Sequence, residues 1–145
     1  MTGRVTEMTE ADCWEMLRRH EFGRLAYRDG DRVQIAPLNY AVQGRSLVFR
    51  TAEGSKLSGI RGHSDVAFEI DETTDDAAMS VICRGNAVEI TGDDALMVEQ
   101  LRLRPWVRTV KHHVVQIDIE EISGRFVMLT KPWLHMVPNL SLIHI

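Results

Sequence analysis

The residues best equipped for chemistry form one short run, Phe49-Arg50-Thr51-Ala52-Glu53-Gly54-Ser55-Lys56. A strand-like stretch ends in a guanidinium and a hydroxyl, a glycine turn follows, and a second hydroxyl and an ammonium open a helix-like stretch. That order suits a phosphate. Amides at a helix N-terminus carry partial positive charge and point at an anion. Arg50 adds a two-pronged donor, Lys56 a compact charge, and Thr51 and Ser55 neutral donors. The other reading is a basic surface turn in which Ser55 only caps a helix. Composition alone leaves both open.

The remaining polar and aromatic residues point to no second centre. Trp14, Trp106 and Trp133 read as packing residues rather than stacking platforms. His112 and His113 are adjacent, and neighbours on a strand face opposite ways, so the pair does not chelate one metal ion. Asp75, Asp76, Asp93 and Asp94 fall in loops or at a helix start, where carboxylates face solvent. No nucleophile elbow, Walker loop or dinucleotide fingerprint is present. Reactivity is therefore expected from a cofactor, with the protein supplying orientation.

The totals narrow the setting. A chain of 145 residues suits one domain able to bury a core without disulfides or a structural metal. A net charge of −4, from 17 basic and 21 acidic residues, argues against a nucleic-acid surface. Cys13 and Cys83 have no ligand spacing and read as packed, reduced thiols, which favours a cytoplasmic location. No signal peptide is visible, and no apolar run reaches the length of about 20 residues that a membrane span requires.

The elements that must position the basic turn are mostly strands. Thr9 caps a first helix whose buried face is Cys13, Met16, Leu17 and His20, with Gly23 expected to stop it. Residues 24–51 alternate apolar and polar around Asp29-Gly30-Asp31 and Gln43-Gly44, which predicts four short antiparallel strands, with Pro37 ending a ladder or marking an edge. Two helical turns follow at 55–62, then a strand at 66–70, an acidic loop at 71–76 and a long strand at 79–90. A helix opens at Thr91-Gly92-Asp93-Asp94 and closes at Pro105. Strands at 114–119 and 126–129 flank Gly124. The last residues, 131–145, lack a period and are expected to pack irregularly, with Trp133 near a subunit seam, outside a domain of 1–130. Many short strands with few helices predict a mainly β, closed or nearly closed antiparallel barrel.

Several pieces, in order, resemble one family. They are His20-Glu21-Phe22-Gly23-Arg24-Leu25-Ala26, Ala36-Pro37-Leu38-Asn39-Tyr40, and Val48-Phe49-Arg50-Thr51 with Gly54-Ser55-Lys56-Leu57. Val81-Ile82-Cys83-Arg84-Gly85-Asn86-Ala87, Leu103-Arg104-Pro105-Trp106 and Ile122-Ser123-Gly124-Arg125 follow. The set is similar to the pyridoxamine 5′-phosphate oxidase-related proteins, the FMN-binding split barrels, and especially their short actinobacterial-type members. The resemblance implies a six-stranded antiparallel split β-barrel with a few short helices. It also implies a homodimer with flavin sites at the subunit interface.

By that likeness, Arg50, Thr51, Ser55 and Lys56 hold the flavin phosphate. Arg24, Leu25, Ala26, Pro37, Leu38, Asn39 and Tyr40 lie along the isoalloxazine ring, and Trp106 comes from the partner subunit. The implied activity is transfer of hydride or electrons from FMN to a small organic acceptor. Deazaflavin and haem are the alternative cofactors, and a non-catalytic carrier or sensor is the alternative role. Val114 and Gln116 stand where relatives often carry a tryptophan and an arginine, a departure on the substrate side of the pocket.

Overall fold

The structure, a computed structural model, describes residues 4–92 and 113–129. Eight strands and two helices follow one another along these residues: β1 (Val5–Glu7), α1 (Glu10–Arg19), β2 (Phe22–Asp29), β3 (Arg32–Asn39), β4 (Ala41–Gln43), β5 (Ser46–Thr51), α2 (Ser55–Gly62), β6 (Asp65–Thr73), β7 (Ala77–Ile90) and β8 (His113–Met128). The four strands expected between 24 and 51 are β2 to β5.

One antiparallel sheet contains every strand, in the order β3-β2-β6-β7-β8-β5-β4, with β1 paired to β8. β3 and β4 stand at opposite ends of this order, yet Tyr40 alone separates them in the chain. The sheet must therefore curl until its two ends meet at Tyr40, which makes it a split barrel. The Tyr40 hydroxyl donates to the Leu17 carbonyl at 2.7 Å, and its ring stands edge-on to Phe68. The bond takes up one of the carbonyls left open in the last turn of α1. Pro37 lies in β3, at the sheet edge, where its missing N–H costs no ladder bond.

Three expectations change in the structure. Eight strands stand among the described residues where the resemblance implied six, and one of them, β1, went unread because all three of its residues are exposed and give no alternation, although it pairs with β8. The two strands expected around Gly124 are one strand, β8, paired with β7 along almost its whole length across an irregularity at Arg84 and Gly85. Gly124 is no turn. A Cβ there would lie 2.7 Å from Cys13 Sγ and 2.8 Å from Met8 Sδ, so glycine lets α1 lie close on β8. The acidic stretch from Asp71 continues β6 to Thr73, and only residues 74–76 turn.

The first helix is capped as expected, with the Thr9 hydroxyl accepting from the Asp12 amide at 3.1 Å. It ends at Arg19 with His20 as its C-cap, ahead of Gly23, which lies within β2. Trp14 joins Cys13, Met16 and Leu17 on the buried face. Both cysteines are free and buried. The helix expected from Thr91 to Pro105 and the tail from 131 lie outside the described residues. Among the described residues, no helix is long and apolar enough to cross a membrane.

Candidate functional site

Strand register sorts the expected ring-lining residues. Across β3, β2, β6, β7 and β8, one row of paired positions reads Ile35, Ala26, Ala67, Arg84, Glu121. Two residues along, a second row reads Pro37, Arg24, Glu69, Ile82, Ser123. Both rows face outward, since side chains alternate along a strand. The row between them, Ala36, Leu25, Phe68, Cys83, Ile122, faces the core.

Arg24, Ala26 and Pro37 thus share one outer surface, whereas the buried Leu25, Leu38 and Tyr40 side chains point inward. Any ligand contact those three make runs through their backbone. Asn39 pairs with Phe22 at the start of β2, and both are at least partly exposed.

The outer surface is a shallow groove of 430 Å³. Its floor at Ala26 and Ala67 is low because methyl side chains leave room above the sheet, and Ile35 and Ile82 wall it. Ile35 is 71% exposed, a large apolar surface for a residue in the middle of a strand. Arg24 is held on this face by Glu69, with Nε to Oε1 at 2.9 Å, and by Asp71, with Nη2 to Oδ2 at 2.9 Å.

The basic turn joins β5 to α2. Arg50 and Thr51 close the strand, and Ser55 and Lys56 open the helix. Gly54, not Ser55, occupies the N-cap, and as a glycine it offers no side-chain cap bond. α1 differs, since its cap residue Thr9 takes the Asp12 amide. Ser55 is thus the first residue of the helix rather than its N-cap. Thr51 is buried and its hydroxyl donates to the Ala52 carbonyl at 3.2 Å. Phe49 and Thr51 face inward, so Arg50 between them faces the other way. Ser55 and Lys56 are adjacent at the start of α2, while Arg50 lies on the opposite strand face to Thr51.

α2 is fixed against β2. A Cβ on Gly59 would collide with the Arg28 carbonyl and would lie 3.0 Å from the Tyr27 ring, so only glycine permits this approach. The Tyr27 hydroxyl stands 3.5 Å from Ser55 Oγ. The start of α2 is thereby tied to the strand that carries Arg24 and Ala26.

One cluster beside the turn was not legible in the sequence. Arg61, in the last turn of α2, donates from Nη1 to Glu53 Oε1 at 3.1 Å and from Nη2 to Glu89 Oε1 at 2.8 Å. His113 Nδ1 lies 2.6 Å from Glu89 Oε2, and its Nε2 lies 3.5 Å from Glu53 Oε1. Each basic side chain meets both carboxylates. Hydrogen bonds from Arg61 and then His113 hold the Glu89 carboxyl below the usual carboxylate range. Bonds to Glu89 and then Glu53 raise the Arg61 guanidinium in turn. His113 sits directly across the ladder from Thr51.

Of the two family departures, Val114 is buried opposite Arg50, and the Gln116 amide donates to Asp118 Oδ1 at 2.7 Å. Trp106, expected from the partner subunit, lies outside the described residues.

Comparison with known proteins places this arrangement. Residues 9–126 match the model of the family described as pyridoxamine 5′-phosphate oxidase. A solved protein from Corynebacterium glutamicum, described as a candidate pyridoxamine 5′-phosphate oxidase, is 32% identical, with a TM-score of 0.77 over 90% of this chain and 99% of its own. An FAD-binding protein from Mycobacterium smegmatis is also 32% identical, with a TM-score of 0.73 over 85% of this chain and 99% of its own. An uncharacterized protein of Mycobacterium tuberculosis is 41% identical over 85 residues, which cover 58% of this chain and 77% of the relative.

Proposed function

Since the chain belongs to the pyridoxamine 5′-phosphate oxidase family, we propose that it binds FMN between two copies of itself and serves as a flavin-dependent oxidoreductase. The observation that carries this reading is the start of α2. There, β5 ends in Arg50 and Thr51 and α2 opens on Ser55 and Lys56 behind a glycine N-cap, a strand-to-helix junction whose residue types suit a phosphate. Lys56 supplies the compact charge, Arg50 the fork, and Ser55 a neutral donor.

The outer face fits a flat ring. Ala26 and Ala67 leave the surface low, Ile35 and Ile82 give it apolar walls, and Arg24 is held by two carboxylates. A bound flavin supplies hydride or electron transfer to a small organic acceptor. The residues named here bind, orient and exclude water.

A second copy of the chain is the occupant we assign to the rest of this face. The rows offer apolar Ile35 and Ile82 beside cationic Arg24 and Arg84 and anionic Glu69 and Glu121. A surface carrying both charges around an apolar strip can pair with itself about a two-fold axis.

FMN and FAD share the riboflavin 5′-phosphate group, and the relative from Mycobacterium smegmatis is described as binding FAD. Visible spectra of the purified protein, reconstituted in parallel with FMN, FAD, a deazaflavin and haem, decide among them. Stoichiometric uptake of FMN is expected. Uptake of haem alone, with its Soret band, contradicts the proposal. Reoxidation of the reduced, FMN-loaded protein by organic acceptors then separates turnover from simple carriage.

A further inference from the structure

The turn expected to hold a phosphate also contains a carboxylate. Glu53 lies between Thr51 and Ser55, so its negative charge stands within a few residues of every donor in the proposed clamp. A phosphate monoester carries about −1.5 to −2 charge at neutral pH. An unbalanced carboxylate beside it opposes binding, because like charges repel across the distances of a single turn.

The structure balances that charge. Four elements converge on it: Glu53 from the turn, Arg61 from the end of α2, Glu89 from the end of β7 and His113 from the start of β8. Arg61 reaches both Glu53 oxygens from one nitrogen, at 3.1 and 3.3 Å, and grips Glu89 through two others. Glu89 and His113 are the more buried half of the ring, at 22% and 25% side-chain exposure, while Glu53, at 61%, is its outer end. The buried half anchors Arg61, and Arg61 in turn holds Glu53. Exposed ion pairs add little stability, so a ring of this kind is better explained by where it keeps a charge than by what it adds to folding.

We propose that Arg61, anchored by Glu89 and assisted by His113, is a positioning residue for the flavin phosphate: it neutralises Glu53 and keeps that carboxylate off the clamp at Arg50, Ser55 and Lys56. The inference rests on the phosphate reading of this turn. It assigns a role in cofactor binding to a residue outside the donor set.

The test is a double-mutant cycle read with two ligands. Affinities of FMN and riboflavin are measured for the wild type, Arg61→Gln, Glu53→Gln and the double variant. Removing Arg61 should weaken FMN by about five- to tenfold, from freeing one partly screened charge near the phosphate, and leave riboflavin within about twofold. Glu53→Gln should bind FMN at least as tightly as the wild type. The double variant should recover the affinity of Glu53→Gln, since no carboxylate then remains to be held.

The Arg61→Gln loss should also shrink as salt is raised. A double variant as weak as Arg61→Gln overturns the inference, because Arg61 then touches the phosphate or supports α2 directly. Parallel loss of riboflavin in Arg61→Gln overturns it too, by showing general damage. A wild type that binds riboflavin as tightly as FMN overturns the phosphate site itself, and this inference with it. Clear FMN preference without rescue overturns this inference alone.

Discussion

In the proposed site, Lys56 stands in the first turn of a helix whose N-terminal dipole favours an anion, so its charge and that dipole would act on the same group. A charge-assisted hydrogen bond is worth about 1.5–3 kcal/mol. Lys56→Ala should therefore weaken FMN about ten- to a hundredfold, at about 1.4 kcal/mol per decade. Riboflavin, which lacks the phosphate, should lose little. Fluorescence titration of both ligands reads the contrast, and equal loss for both would mean that the turn is only surface. The strand-to-helix junction was legible in the sequence because glycine, a hydroxyl and a lysine sit together there. Glu53, Arg61, Glu89 and His113 were not. They span four elements and meet only through the β5–β8 and β7–β8 registers, which no local pattern encodes.

Among the elements, alternation made β2, β6 and β7 readable because one face of each is buried. β5 read instead as a continuous apolar run, and the alternating Val33 and Ile35 of β3 face outward. Alternation failed where the period breaks. In β8, Glu120 is the extra residue between Ile119, paired with Gly85, and Glu121, paired with Arg84, and Gly124 stands where a turn is the usual reading. The inward row across these strands makes a prediction of its own. Cys83 is buried in β7 between Phe68 and Ile122, and loss of solvent pushes its thiol up to about 12 from an ordinary value of 9.0. Cys13 shifts the same way, also mainly through burial.

A raised value in the folded state means that the unfolded chain releases these protons first. The contribution is intact below pH 9.0 and is lost as the pH climbs from there toward about 12. Urea unfolding on both sides of the ordinary thiol value should show this fall, and Cys83→Ala should show a shallower one. An unchanged slope in that variant would place the alkaline loss elsewhere, for instance at Tyr40, whose hydroxyl burial also raises.

At the scale of the whole molecule, the barrel follows from one topological fact. Tyr40 alone links strands at opposite ends of the sheet order, so the sheet has to close on itself there. A closed or nearly closed barrel was readable from the many short strands, but the pairing order was not, because it is a long-range property; the family resemblance supplied the split-barrel form. The outer rows then leave Ile35, Ile82 and their flanking charges open on the side that carries Arg24 and Ala26. A second copy covering that face joins assembly and cofactor binding into one claim.

Sedimentation of the FMN-reconstituted protein, followed through the visible absorption of flavin, tests that claim most directly. Flavin should travel with a species of twice the chain's mass, at one FMN per chain. Flavin that stays behind as free solute, or that travels with a single chain, would contradict an FMN site built between two copies.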